Sequence, residues 1–240
     1  MPATDPRSAP AIPEGVALYA VGDIHGRADL LDRLHHAILA DAAARAAAER
    51  RIVYLGDYID RGEDSAGVIE RLVERPLAGF RAVHLCGNHE DLLLRFLTDE
   101  SVAPHWLHNG GDTTLASYGL APDRDWTRLQ RNLRRALPHR HLAFLEALAL
   151  SHAAGDYLFV HAGIRPGLPL DRQRREDLLW IRGEFLDSTA PHGRIVVHGH
   201  SIAHEVEFRA NRIGIDTGAY MTGRLTCLAL EGGERRLIGT

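Results

Sequence analysis

Three predicted strands near the start of the chain each end one or two residues before a glycine that is followed by polar side chains. The strands are Val16–Val21, Ile52–Leu55 and Arg81–Leu85, and a stretch with helical spacing of apolar residues follows each one. Repeated strand–loop–helix units predict largely parallel strands with helices on the sheet faces. Because ligands of open α/β sheets bind at the carboxyl ends of the strands, we expect these polar loops to meet at one edge.

Five sequence blocks at predicted strand ends are rich in side chains that bind metal ions. They are Gly22–Gly26 (GDIHG), Gly56–Gly62 (GDYIDRG), Gly87–Glu90 (GNHE), His161–Gly163 (HAG) and His198–His200 (HGH). Carboxylate, amide and imidazole groups suit hard or borderline divalent ions. The predicted ligands of two such ions are Asp23, His25, Asp57, Asn88, His161 and His200. Asp57 could give one oxygen to each ion, an arrangement suited to in-line displacement at phosphorus.

The last of these blocks contains two histidines, His198 and His200, only two positions apart. From spacing alone either of them could be the ligand. We choose His200, and the family resemblance given below supports this choice.

Four residues near the predicted ligands suit catalysis or phosphate binding. His89 directly follows Asn88 and could donate a proton to the leaving oxygen, and Asp60 could orient and charge its imidazole. The planar guanidinium of Arg61 could bind phosphate through two hydrogen bonds. Arg182 could also bind phosphate, although an exposed helix arginine without a role is an equally good interpretation.

The composition is that of an ordinary globular protein, and the sequence argues against a nucleic-acid binder and against a membrane-spanning protein. The chain has 240 residues, 45% of them hydrophobic, and a net charge of −4, which disfavours a general nucleic-acid binder. No apolar run is long enough for a membrane span. We interpret Cys86 and Cys227 as buried thiols in a reducing compartment, and we therefore expect a cytoplasmic location.

The chain is expected to form one domain, residues 15–240, after a flexible, proline-containing arm, residues 1–14. The segment from about 100 to 138 is interpreted as a helical or loop insertion over the site. Glycine-rich turns separate three later β segments, which we expect to be antiparallel. These segments are His204–Arg209, Arg212–Asp216 and Arg224–Glu231.

The five blocks resemble the phosphoprotein phosphatase family of serine/threonine phosphatases, within the calcineurin-like metallophosphoesterases, and the resemblance spans roughly Val16 to Glu231. The later Ile215–Ala219 segment is similar to bacterial members. The resemblance implies an α/β fold with a central β-sandwich of mixed sheets, flanked by helices, and a dinuclear metal site at the strand-end loops. It also implies that the C-terminal strands form much of the second sheet.

The resemblance further implies roles for individual residues. The implied metal ligands are Asp23, His25, Asp57, Asn88, His161 and His200. His89 would be the general acid, paired with Asp60, and Arg61, Arg182 and Asn88 would contact phosphate. Manganese is the implied metal, with iron or zinc as alternatives.

The sequence therefore predicts a metal-dependent phosphomonoesterase in which a hydroxide bridging the two ions attacks phosphorus directly. Its expected partner is a phosphorylated protein or peptide, mainly at serine or threonine, with phosphotyrosine as a further candidate. The alternative is a diadenosine tetraphosphate hydrolase or another small-molecule metallophosphoesterase. Diadenosine tetraphosphate hydrolases usually lack an acid at the position of Asp60, which favours the phosphomonoester reading. A metal-binding scaffold without activity is a third reading, but no ligand is missing here.

Overall fold

The computed structural model describes residues 9–240, so the first eight residues of the predicted N-terminal arm lie outside the description. The remainder of that arm is attached to the domain. Ile12 is buried, and its backbone N–H donates to the carbonyl of Gly232 at 3.0 Å. The N–H of Ala11 donates to Asp156 Oδ2 at 2.9 Å. Residues 11 and 12 are therefore held by backbone hydrogen bonds against the domain surface.

Ten strands and ten α-helices make up the described chain. The strands are β1 Val16–Val21, β2 Glu49–Tyr54, β3 Arg81–His84, β4 Ser151–Ala154, β5 Tyr157–Val160, β6 Ile195–His198, β7 Glu207–Phe208, β8 Arg212–Gly214, β9 Thr226–Glu231 and β10 Glu234–Gly239. The helices are α1 Ala28–Ala43, α2 Ser65–Glu74, α3 Asn88–Phe96, α4 Ala103–Trp106, α5 Asp112–Ser117, α6 Trp126–Ala136, α7 His139–Glu146, α8 Arg175–Trp180, α9 Gly183–Leu186 and α10 Ala219–Thr222.

The strands form two five-stranded mixed sheets. The first has the order β10-β9-β1-β2-β3 and the second has the order β4-β5-β6-β8-β7. β1, β2 and β3 are parallel, as are β5, β6 and β8, whereas β9 runs antiparallel to β1. The predicted fold, two mixed sheets flanked by helices, is confirmed.

Alternation of side chains along β1 explains the layered packing, because successive residues of a strand point to opposite faces. Leu18 and Ala20 pack between the sheets with Phe159 and Val197 of the second sheet. Tyr19 points to the other face, in the cluster formed with the helices. A smaller cluster covers the outer face of the second sheet. The order of layers is therefore helix, sheet, sheet, helix, which leaves the strand-end loops free at one rim.

The C-terminal strands depart from the expectation in two ways. β8 pairs with β6 in parallel, and of the three predicted segments only β7 and β8 pair with each other in antiparallel fashion. β9 is antiparallel to β1 and β10 instead. β9 and β10 join the first sheet beside β1, so only β7 and β8 of this group belong to the second sheet. The reason is that the apolar residues of β9 complete both faces of the first sheet.

The first helix ends earlier than its alanine-rich sequence predicts. The alanine-rich stretch up to Arg50 has high helix propensity, but α1 stops at Ala43. Glu49 and Arg50 instead begin β2, opposite Val16 and Ala17 of β1. Strand pairing thus overrides local helix propensity.

The predicted inserted segment is mostly helical. α4 and α5 are joined by a π-helical turn, Leu107–Gly111, in which Gly110 has a left-handed φ of 97°. α6 follows after a short loop. This arrangement brings the α4–α5 corner against the loop after β2, where Arg61 donates its backbone N–H to the carbonyl of Gly110 at 3.2 Å.

Cys86 and Cys227 are free and buried. Within residues 9–240, no helix has both the length and the apolar character needed to cross a bilayer.

Candidate metal centre

Loops at the carboxyl ends of five strands bring the predicted ligands into one buried cluster. The contributions are Asp23 and His25 after β1, Asp57, Asp60 and Arg61 after β2, Asn88 and His89 after β3, His161 after β5, and His200 after β6. All of these except Arg61 are buried. The predicted clustering is observed, whereas the role of each residue stays a prediction.

Five members of this cluster share an unusual backbone conformation. They are His25 (φ 45°), Asp57 (φ 50°), Asp60 (φ 69°), Arg61 (φ 67°) and His200 (φ 63°). For residues with a side chain this left-handed conformation costs about 1–2 kcal/mol each. It persists only where the surroundings enforce it, and such strain concentrates at functional sites.

Asp57 lies between two groups of potential metal ligands. Its Oδ2 is 3.5 Å from His25 Nε2 and 3.8 Å from His89 Nε2, whereas its Oδ1 is 3.4 Å from His161 Nε2. The two groups are His25–Asp57–His89 and Asp57–His161–His200, each with donor atoms within 4.8 Å of one another. One carboxylate therefore presents one oxygen to each group, as expected for a residue that bridges two ions.

Several buried nitrogen and oxygen atoms that could bind a metal ion have no hydrogen-bond partner among residues 9–240. They are Asp23 Oδ1, His25 Nε2, His89 Nε2 and His200 Nε2. Buried polar atoms are nearly always satisfied, so an unsatisfied group of this kind requires an explanation. Two of these atoms, His25 Nε2 and His89 Nε2, lie 3.5 and 3.8 Å from Asp57 Oδ2. Imidazole and oxygen donors of this kind suit divalent cations. The residues present therefore fit the metal ions predicted from the sequence.

Asn88 contacts the second group directly. Its side-chain oxygen is 3.0 Å from His161 Nε2 and 2.8 Å from His200 Nδ1. An amide oxygen in this place can join the imidazoles as a ligand.

Asp23 is buried beside a second carboxylate, Asp216. Oδ2 of Asp23 accepts the backbone N–H of His200 at 2.9 Å. Burial and the charges of Asp216 and Asp57 raise the pKa of Asp23 well above its ordinary value. A cation would offset the repulsion among these carboxylates. Asp216 was not predicted from the sequence, because no other metal-binding residue lies next to it in the loop after β8.

Burial keeps the imidazoles of His25 and His200 in the neutral form that binds metals. Burial and the neighbouring His89 lower the pKa of His25 to about 3, and burial with His161 lowers that of His200 to about 2. Burial alone would raise the pKa of Asp57, but the facing imidazoles, led by that of His161, hold it below its usual range. Neutral imidazoles and an ionised carboxylate are the protonation states that metal binding requires.

His198 does not belong to the cluster. Its Nε2 lies 3.3 Å from Arg212 Nη1, and its ring packs edge-on against Phe185 at 5.1 Å between centroids. Burial lowers its pKa to about 4. Of the two histidines in this block, His200 is the one that the structure brings to Asp57.

His89 and Asp60 form the contact predicted for an acid and its orienting carboxylate. His89 Nδ1 lies 2.7 Å from Asp60 Oδ2, which leaves His89 Nε2 facing the cluster. Burial opposes protonation of His89, but the carboxylates of Asp57 and Asp60 outweigh it and raise the pKa of this imidazole. The Asp60 contact thus fixes the orientation of the His89 ring, with Nε2 directed at the metal cluster.

Two residues of the inserted segment hold Asp60 in place, and sequence reasoning missed both. Trp106 Nε1 donates to both carboxylate oxygens of Asp60, at 3.2 and 3.1 Å. The hydroxyl of Thr114 donates to Asp60 Oδ1 at 2.6 Å. Three donors, counting His89, therefore surround this buried carboxylate. A buried tryptophan usually donates its N–H to a hydrogen-bond partner, but the local sequence does not show which residue that partner is.

Trp106→Phe should lower kcat by about 10–100-fold, the usual cost of losing a partner that orients a site residue. Phenylalanine keeps the stacking on Phe96 but removes the N–H donor. Steady-state kinetics with p-nitrophenyl phosphate checks this, with KM nearly unchanged because Trp106 does not reach the substrate. Trp126→Phe, in the same inserted segment, is the control. An unchanged kcat for Trp106→Phe would remove the indole from the positioning of Asp60.

Glu90 ties together the loops after β2 and β3. Its carboxylate accepts the backbone N–H groups of Asp57 (2.9 Å), Tyr58 (2.8 Å) and Gly87 (2.9 Å). The loops approach so closely that a Cβ on Gly56 would lie 2.5 Å from the nitrogen of Gly87. Glu90 is therefore needed to hold the two loops together, and Gly56 is needed because the loops leave no room for a side chain there.

The two predicted phosphate-binding arginines lie near different histidines of the cluster, Arg61 near His25 and Arg182 near His161 and His200. The guanidinium of Arg61 stacks over the ring of Tyr220 at 5.0 Å from its centroid. Arg182 is exposed and donates to the hydroxyl of Ser201 at 3.2 Å. Both positions are compatible with an anion held at the cluster.

The chain matches the family described as calcineurin-like phosphoesterase over residues 17–219. It is 27% identical, over 228 residues, to the bis(5′-nucleosyl)-tetraphosphatase PrpE of Bacillus mycoides, covering 87% of this chain and 88% of that protein. The protein of the same name from Anoxybacillus flavithermus is 26% identical over 75% of each chain.

Solved structures show the same fold. A candidate diadenosine tetraphosphatase superposes with a TM-score of 0.64 and 22% identity, covering 97% of this chain and 98% of that one. A cold-active protein-tyrosine phosphatase from Shewanella gives a TM-score of 0.57 and 18% identity, covering 95% and 83%. The family match spans most of the chain, including every strand-end loop of the cluster, and the protein therefore belongs to the calcineurin-like phosphoesterase family.

Proposed function

We propose that the protein hydrolyses dinucleoside tetraphosphates asymmetrically, using two divalent metal ions. The observation that supports this substrate best is the shared name of the curated relatives, which match up to 87% of the chain. The ions, when bound, activate water and offset charge on the phosphoryl oxygens. Arg61 and Arg182 bind the remaining charge of the polyphosphate.

Asymmetric cleavage fixes the products. Water adds to a phosphorus at one end of the four-phosphate bridge, and the bond to the bridging oxygen breaks. One nucleoside monophosphate and one nucleoside triphosphate leave. Detection of AMP and ATP from diadenosine tetraphosphate, rather than two molecules of ADP, therefore identifies which phosphate bridge is broken.

The phosphomonoesterase reading is the second candidate, and the His89–Asp60 contact at 2.7 Å favours it. A serine or threonine alkoxide is a poor leaving group and needs a proton from a general acid. A nucleotide phosphate leaves more readily and needs that proton less. An intact acid pair is therefore more useful with a phosphorylated protein or peptide as the partner.

The working metal is proposed to be manganese, which the family resemblance implies, with iron or zinc as alternatives. Oxygen and imidazole donors can bind all three ions. Reconstitution of the metal-free protein with each ion, together with measurement of bound metal, distinguishes them.

With Mn²⁺ bound, diadenosine tetraphosphate should give a kcat/KM at least about tenfold above that of a phosphoserine peptide, since its two nucleosides add binding energy. The assay compares both with p-nitrophenyl phosphate and a 2′,3′-cyclic nucleotide at equal metal concentration. A clear preference for the phosphopeptide would replace the first function by the second.

A further inference from the structure

A cavity of about 610 Å³ opens beside the metal cluster, on the side of Arg61. Its size lies within the range of about 300–1,000 Å³ that is typical of small-molecule sites. Arg61, Gly26 and Gly62 form the end nearest the cluster, and Tyr220 forms part of the wall. The ring of Tyr220 also packs edge-on against His25, with 5.3 Å between centroids. The cavity is thus continuous with the loops that carry the predicted ligands.

Charges along the cavity are mostly paired within the protein. Arg27 donates twice to Asp29, at 2.8 and 2.7 Å. Arg71 lies 2.9 Å from Asp32. Arg61 forms no ion pair with a carboxylate of residues 9–240, so its guanidinium is available to an anion at the cluster end.

The remaining lining is unsuited to a polyphosphate. Glu63 and Asp64 are exposed carboxylates on the cavity, and Asp64 already caps α2 by accepting the N–H of Gly67 at 2.8 Å. Such carboxylates repel phosphate but accept hydrogen bonds from sugar hydroxyls. The lining therefore fits a group that is neutral, aromatic at one end and rich in hydroxyls.

We propose that this cavity binds one nucleoside of the substrate, with its base against Tyr220 and Arg61 and its ribose toward the carboxylates. The inference rests on the proposed dinucleotide substrate and assigns it a subsite. Arg61 then lies at the junction between the phosphate chain and the base. Aromatic rings and guanidinium planes are the usual platforms for nucleobases.

The test is direct binding of a methylene-bridged, non-hydrolysable diadenosine tetraphosphate to the Mn²⁺-loaded protein, measured by calorimetry. Tyr220→Ala should weaken binding by about tenfold or more, the usual effect of removing a stacking platform. Tyr220→Phe should stay within about threefold of wild type because it keeps the ring. Binding of inorganic phosphate, which has no base to stack on Tyr220, should not change in either variant.

Met221→Ala is the matched control, because Met221 is the next residue of α10, is 61% exposed and lies outside the cavity lining. Its affinity for the analogue should equal that of wild type. Equal affinity of Tyr220→Ala and wild type would overturn the subsite. Equal losses for the analogue and for phosphate would also overturn it, because they would show that Tyr220 only supports the cluster.

Failure of the subsite and failure of the proposed function give different results. If wild type cleaves diadenosine tetraphosphate but Tyr220→Ala binds the analogue normally, the function stands and the subsite is wrong. If Tyr220 governs binding but the dinucleotide is not cleaved, the subsite stands and the function is wrong. If wild type does not bind the analogue, both are wrong. A phosphopeptide that Tyr220→Ala binds more weakly than wild type would then identify the cavity as a peptide site.

Discussion

Removal of metal ions by a chelator should lower kcat/KM for p-nitrophenyl phosphate by at least about 10³-fold, and added Mn²⁺ should restore it. The ions supply several kcal/mol of transition-state stabilisation, and about 1.4 kcal/mol corresponds to a factor of ten in rate. The unpartnered donor atoms of His25 and His200 are the structural basis of this expectation. Full activity after rigorous chelation would contradict it.

Asp57→Asn provides the same test without a chelator. Because Asp57 faces both donor groups, its loss should reduce the metal content at both sites and the activity with it. Metal per chain is measured by mass spectrometry, and the melting temperature with and without Mn²⁺ gives a second readout that does not depend on turnover. Asp171→Asn, an exposed carboxylate outside the cluster, is the control. Unaltered metal content in Asp57→Asn would remove Asp57 from the ligand set.

His89→Asn should lower kcat toward a phosphoserine peptide by about 10²–10⁴-fold, the usual effect of losing a general acid. The reason is geometric, since Asp60 holds Nδ1 and leaves Nε2 directed at the cluster. The effect on diadenosine tetraphosphate should be smaller, because its leaving group needs less help from a proton. Steady-state kinetics with both substrates measures the difference.

Metal content decides how the His89→Asn result is interpreted. His89 Nε2 is one of the donor atoms near His25 and Asp57, so the side chain could bind metal as well as donate a proton. We expect both ions to remain bound in His89→Asn. Loss of an ion would make His89 a ligand instead of the acid. His36→Asn, an exposed histidine on α1, serves as the control.

The metal cluster could be predicted from sequence because its determinants are local. Each predicted ligand follows a recognisable strand, and parallel strands place their carboxyl ends at one edge. Asp23, Asp57 and Asn88 satisfy this rule in the first sheet. His161 and His200 satisfy it in the second sheet, and the two edges share one rim. The glycines beside these residues are equally local, since close approach of the loops excludes a Cβ.

What the sequence did not reveal depends on contacts between distant residues. Trp106 and Thr114 reach Asp60 across 46 and 54 positions, and no periodicity marks them as its partners. Tyr220 lies on a short helix between two glycines in the left-handed conformation, and its local sequence is typical of a turn. The assignment of β9 to the first sheet is of the same kind, because a strand pattern does not specify which sheet the strand joins.

The position of β1 has a consequence for synthesis of the protein. β1 is the middle strand of the first sheet, and Val21 pairs with Cys227 of β9. At about 5–20 residues per second, β9 leaves the ribosome on the order of ten seconds or more after β1. During that interval one side of an entirely apolar strand has no partner, and unpaired strand edges promote aggregation. The nascent chain should therefore depend on chaperones until its last strands emerge.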